Sequence, residues 1–159
     1  MAAQTLFDIS DIDLSQVAVS PQKVGQLNPQ CGPMRHLDHV IWKNEDATCG
    51  LGVKQVRDDE FWVPVHIPGR PLMPGVLMIE AAAQLCSILQ QFRPGNDNSR
   101  FLGFTRCDNV VFRGKVVPGD TFYLLAKELK SSRRRFISAT QGIVNDQLVL
   151  EATITGMAL

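Results

Sequence analysis

The chain has 159 residues, enough for one domain with a sizeable core, and its sixteen basic and sixteen acidic side chains cancel. Net neutrality argues against nucleic-acid binding driven by overall charge. Cys31, Cys49, Cys86 and Cys107 are well separated with no Cys-x-x-Cys pair, which suggests neither a zinc site nor a disulfide framework and points to free thiols in a reducing cytoplasm.

Met1 to Asp13 has no positive n-region and no apolar run, and carries Asp8, Asp11 and Asp13, so it does not read as a signal peptide. Residues 1–26 read as an N-terminal extension in which Pro21 and Gly25 mark a hinge or loop. Loop chemistry at 28–33 leads into a predicted strand over 34–44, with Leu37, Val40, Ile41 and Trp42. Residues 48–56 form its hairpin partner across a turn at Asn44 to Asp46. His36 and His39 read as strand-face residues. Arg57-Asp58-Asp59-Glu60 reads as a solvated charged connection, after which Phe61 and Trp62 lead into a proline-rich stretch.

That stretch, Val65 to Gln84, organises the rest. Pro68, Pro71 and Pro74 fix φ and remove donors, which predicts a stiff extended loop. Pro74 suits a helix start and Gly75 allows close approach to the backbone. Val76 to Phe92 contains no further Pro or Gly, which predicts a helix of roughly 25 Å. It is apolar nearly all round and is therefore buried. It falls short of a membrane span, and Glu80 and Gln84 interrupt it. Burying an ionised Glu80 without a partner would be costly, so this residue reads as functional. Breakers at 93–99 end the helix. The remainder is β: strands over 101–112, 121–130, 136–144 and 147–155, with Val117 to Asp120 and Asn145-Asp146 at turns. One long helix and about six strands give an α+β architecture, a curled antiparallel sheet wrapped around a central helix.

His66-Ile67-Pro68-Gly69-Arg70-Pro71-Leu72-Met73-Pro74-Gly75-Val76-Leu77, followed by Glu80-Ala81-Ala82-Ala83-Gln84, resembles the His-Phe-Pro-x-x-Pro-x-Met-Pro-Gly-Val-Leu…Glu-Ala-x-Ala-Gln signature of the β-hydroxyacyl-acyl carrier protein dehydratases. Pro29 to Val40 resembles the family's Pro-His-Arg-Tyr-Pro-Phe-Leu-Leu-Val-Asp-Arg-Val block, keeping Pro29, Pro33, Asp38 and Val40. Phe112 to Asp120 resembles Phe-Arg-x-x-Val-x-Pro-Gly-Asp. The resemblance covers residues 27–159 and implies a hot-dog fold, with a six-stranded curved sheet around the helix. Glu80 rather than Asp, and Gln84 after Ala83, resemble the branch that dehydrates without isomerising the double bond.

The implied activity is dehydration of (3R)-3-hydroxyacyl-acyl carrier protein to the trans-2-enoyl thioester in fatty acid biosynthesis. It needs no cofactor and no metal, the substrate being carried on phosphopantetheine of acyl carrier protein or coenzyme A. Such chemistry needs a base for the α-proton, an acid for the β-hydroxyl and stabilisation of charge on the thioester oxygen. His66 suits the base. Glu80, in an apolar setting that raises its pKa, suits the acid. The Gly75 N–H, at a helix N-terminus, suits the oxyanion. Pro74, Val76 and Gln84 would contact substrate. The resemblance implies a homodimer, or a trimer of dimers, in which His66 of one subunit meets Glu80 of its mate. Acyl carrier protein is the implied partner, with neither nucleic acid nor membrane, in the cytoplasm. Arg133, Arg134 and Arg135, with Arg113 and Lys115, would offer its acidic surface a docking site, or simply form a solvated hairpin face. The chain departs from the family at Val65, where Gly is usual, at Pro64, and at Gln30, Cys31 and Gly32 in place of His-Arg-Tyr. The alternatives are another hot-dog thioester enzyme, such as an acyl-CoA hydratase or thioesterase, and a non-catalytic acyl-binding module.

Overall fold

Regular alternation in the second half of the chain makes long strands, and the one helix without polar faces becomes their filling. The computed structural model describes residues 4–97 and 100–159. In chain order it contains α1 (Pro21–Leu27), β1 (His39–Lys43), β2 (Cys49–Gln55), α2 (Gly75–Gln91), β3 (Leu102–Phe112), β4 (Thr121–Ser131), β5 (Arg135–Val144) and β6 (Gln147–Ala158). The strands form one antiparallel sheet in the order β1-β2-β4-β5-β6-β3. Asn145 and Asp146, at φ 48° and 59°, make the expected two-residue hairpin between β5 and β6.

α2 lies in the concave face and buries Leu77, Met78, Ala81, Ala82, Leu85, Cys86, Ile88 and Leu89. It approaches β2 closely because that strand presents Gly50 and Gly52 inward. A Cβ on Gly50 would lie 2.5 Å from Leu89 Cδ2, and one on Gly52 2.7 Å from Leu37 Cδ1. Inward parity on β2 therefore runs Gly50, Gly52, Lys54, and Lys54 is fully buried.

Three local expectations are corrected. The Pro21 to Gly25 region is not a hinge but helix α1. Ser20 caps it by accepting from Lys23 N, Pro21 fills the first turn where no donor is needed, and Val24 is buried in the main core. The strand expected over 34–44 begins only at His39. Gly32–Met34 is a 3₁₀ turn, and His36 is buried in the connection rather than standing on a strand face. The proline-rich loop is not extended throughout. It closes into turns, with Gly69 at φ 76° and Arg70 N donating to Ile67 O at 2.9 Å, before Met73 N anchors it to Val116 O.

The outer face of the sheet carries a second apolar cluster, Ile41, Leu51, Val53, Leu125 and Ile143. The N-terminal segment lies across it: Leu6, Phe7, Ile9 and Ile12 pack there, Leu6 N donates to Gln141 Oε1, and Gln141 Nε2 donates to Gln4 O. Further along, Val19 bridges Val40. At the opposite edge, β3 has no partner on one side among the described residues and exposes Phe104 and Phe112.

Candidate active site

His66 sits on a turn closed by a single carbonyl. Trp62 O accepts from Val65 N at 3.2 Å and from His66 N at 2.9 Å, so Pro64 and Val65 are absorbed within the turn. The imidazole Nδ1 lies 2.7 Å from Leu72 O. A carbonyl only accepts, so Nδ1 is the donor in this contact, and in the neutral ring the lone pair is on Nε2.

Beneath this turn Arg57, Asp58 and Asp59 of the charged connection are exposed, but Glu60 is not, which corrects the expectation for that residue. Glu60 is buried and pairs with Lys54, Nζ to Oε1 at 2.9 Å. Its Oε1 also accepts from Arg57 N and its Oε2 from Trp62 Nε1, each at 3.0 Å. Burial pushes the Glu60 carboxyl up, but the Arg57 N–H, Lys54 and the indole outweigh it and hold it below its ordinary value. His36 lies nearby, fully buried, its ring 6.5 Å from that of Phe61. Desolvation first, and then the Lys54 charge, lower its pKa to about 4, so the ring is neutral at physiological pH.

Glu80 projects from α2, half-buried. Its surroundings are less apolar than expected: Oε1 accepts from Gln30 Nε2 at 3.1 Å and from Gln84 Nε2 at 2.9 Å. With two donors on Oε1, a proton on this carboxyl belongs on Oε2. Gln84 is buried and its amide is engaged on both sides, Nε2 also donating to Met34 O and Oε1 accepting from His36 N. Gly75 opens α2, and its N–H falls in the first turn, where intrahelical acceptors do not exist. A Cβ at Gly75 would lie 2.7 Å from the Phe112 ring, so the helix start packs directly on β3. The Pro74 carbonyl accepts from Leu77 N and Met78 N, and Val76 is exposed.

From Glu80 a narrow cavity of about 80 Å³ runs between α2 and the sheet, lined by Ala83, Leu102, Phe104, Phe136 and Ile154. It shares Pro29, Ser87, Phe101 and Leu102 with a wider cleft of about 350 Å³ that reaches Gln91 and Arg100. Within one chain, Glu80, Gln84 and Gln30 come together. Among the described contacts none joins them to His66. The motif did not single out Gln30, Lys54, Glu60 or Trp62. The signal for Lys54 was available in its shared parity with Gly50 and Gly52.

Arg133, Arg134 and Arg135 are exposed at the β4–β5 hairpin, as is Lys115, whereas Arg113 pairs with Glu151 at 2.5 Å. Among the described residues no group of three or more His, Cys, Asp or Glu side chains is placed to hold a metal ion. There too, no helix is long and apolar enough to cross a membrane.

A family model described as FabA-like domain matches residues 28–153. The chain is 34% identical over 136 residues to the 3-hydroxyacyl-[acyl-carrier-protein] dehydratase FabZ of Lawsonia intracellularis, covering 84% of this chain and 88% of that protein. It is 36% identical over 132 residues to the bifunctional enzyme LpxC/FabZ of Porphyromonas gingivalis, covering 82% of this chain but spanning only 28% of that longer protein. Among solved structures it resembles the dehydratase heterocomplex ApeI:P from Xenorhabdus doucetiae. The TM-score is 0.69 and the identity 13%, over 86% of this chain and 90% of that one.

Proposed function

The chain belongs to the FabA-like domain family, and from that premise we propose that it dehydrates (3R)-3-hydroxyacyl thioesters of acyl carrier protein to trans-2-enoyl thioesters in fatty acid synthesis. His66 Nε2 removes the α-proton, and the pair of electrons left behind is held as an enolate on the thioester oxygen, facing the N–H of Gly75 at the helix N-terminus. Collapse of the enolate forms the Cα=Cβ bond and expels the β-hydroxyl, which takes a proton from Glu80 Oε2 and leaves as water. Pro74 and Val76 flank the thioester, and Gln84 with Gln30 sets the Glu80 carboxyl.

The observation that carries this reading is the Glu80 carboxyl, one oxygen held by two amides, in the lining of a narrow cavity of about 80 Å³. Among the described contacts none joins His66 to Glu80 within one chain, which supports a composite site of two copies, with the edge strand β3 and its exposed Phe104 and Phe112 as the joining surface. The catalytic unit is residues 27–159, and residues 1–26 add to its core through Val19 and Val24. The substrate arrives on phosphopantetheine, and the exposed arginines at 133–135 support docking of an acidic carrier in the cytoplasm.

The test is hydration of crotonyl thioesters of acyl carrier protein and coenzyme A, followed as loss of enoyl absorbance. His66→Ala and Glu80→Gln should each lower turnover by about 10²- to 10⁴-fold. Release of free crotonate instead of the hydroxyacyl thioester would make the protein a thioesterase. No turnover of either thioester by the folded wild type would leave an acyl-binding module.

A further inference from the structure

A buried ion pair is an expensive way to hold a strand and a loop together: an apolar pair of the same shape commonly stabilises as well or better. Its presence under the catalytic turn asks for a geometric reason. Lys54 is fully buried, so it cannot meet substrate, and its Nζ lies 2.9 Å from Glu60 Oε1. Glu60 in turn accepts from Arg57 N at the start of the turn and from the Trp62 indole, itself buried. The carbonyl of that same Trp62 accepts the N–H of both Val65 and His66, and the imidazole ends on Leu72 O. Polar contacts joined by the covalent frames of Trp62 and His66 thus connect an inward residue of β2 to the ring that must reach the α-proton.

We propose that Lys54 and Glu60 are positioning residues for His66, acting through Trp62. The assignment rests on the dehydratase reading only for its catalytic readout. The turn lacks the glycine usual before the histidine, and its Pro64-Val65 sequence is bent by the Trp62 carbonyl. Loss of the indole's anchor frees that carbonyl and the imidazole swings. A displacement of about 1 Å in a reacting group is enough to cost on the order of 10²-fold in rate.

The experiment compares the full-length wild type with Lys54→Met, Glu60→Leu and the double variant carrying both changes. Four quantities are read: melting temperature, kcat and KM for crotonyl thioester hydration, and the NMR resonance of the hydrogen-bonded His66 Nδ1–H. Each single change strands a buried charge or removes its partner, and should lower the melting temperature and kcat together. The double variant replaces the pair by apolar groups. It should recover most of the melting temperature while kcat stays down about tenfold or more, KM moves little, and the Nδ1–H resonance is lost. Recovery of kcat together with the melting temperature would overturn the proposal and make the pair purely structural. If the single variants do not fold, the double variant alone decides. If the wild type turns over no thioester, the dehydratase reading falls and the resonance still decides the positioning: retained in the double variant, it overturns the proposal; lost, it upholds it.

Discussion

His36 is a buried imidazole in a position where the resembling family's pattern has leucine, and its cost is a dependence on pH. Its surroundings are Lys54 and Arg57, which oppose its protonation, and Glu60 and Asp38, which favour it. Desolvation and the Lys54 charge dominate, taking the folded pKa from 6.5 to about 4. The unfolded chain therefore binds the extra proton first. The stability this group contributes is fully present above pH 6.5 and is lost as pH falls towards 4, a change of roughly 3 kcal/mol. In His36→Leu, urea unfolding measured between pH 7 and about pH 4.5 should show that slope flattened. Glu60, whose folded pKa is depressed, adds its own loss only as pH falls below the ordinary carboxylate range. At this scale the sequence singled out His66, Glu80 and Gly75 as candidates, because the spacing of prolines, histidine and carboxylate is specific. It did not carry Glu60, which in sequence is one acid in a charged run. Only the fold sets it against the inward Lys54 of β2.

Helix α2 is exposed to single changes through its first residue. Gly75→Ala would drive a Cβ to 2.7 Å from the Phe112 ring, an overpacking cost of about 1–3 kcal/mol. Phe112→Ala in the same chain should return most of the lost melting temperature by making room. Turnover recovers with it if the glycine is needed only for packing. It stays low if the aligned N–H is what matters. The helix and the four long strands were legible because periodicity, breakers and the Asn145-Asp146 turn agreed with one another. α1 was not, although Ser20-Pro21 is a helix-start pair, because seven residues give little periodicity and Pro21 and Gly25 each read as breakers. The proline loop was read as extended because prolines fix their own φ. The turns come from Gly69 and from the Trp62 carbonyl, which lies outside the proline pattern.

For the whole molecule, the proposed composite site makes a prediction about mixtures. Two variants, each inactive alone, His66→Ala and Glu80→Gln, should regain activity when unfolded and refolded together. A heterodimer then holds one intact site and one doubly defective site. Random pairing makes about half the dimers mixed, so about a quarter of wild-type turnover is expected. If one chain supplied both groups, mixing would restore nothing.

The segment lying across the outer face has a further consequence. Leu6, Phe7, Ile9 and Ile12 are matched to Ile41, Leu51, Val53, Leu125 and Ile143, and the two sets constrain each other's evolution. With the segment in place, Leu51→Thr or Leu125→Thr removes burial and should lower the melting temperature by a few degrees. With residues 1–17 deleted, the same changes turn an exposed apolar patch polar and should raise the soluble yield instead. The same substitution is harmful in one background and helpful in the other. Such sign epistasis means that the covering segment and the apolar face can be lost only together, by way of an intermediate that is worse than either end point.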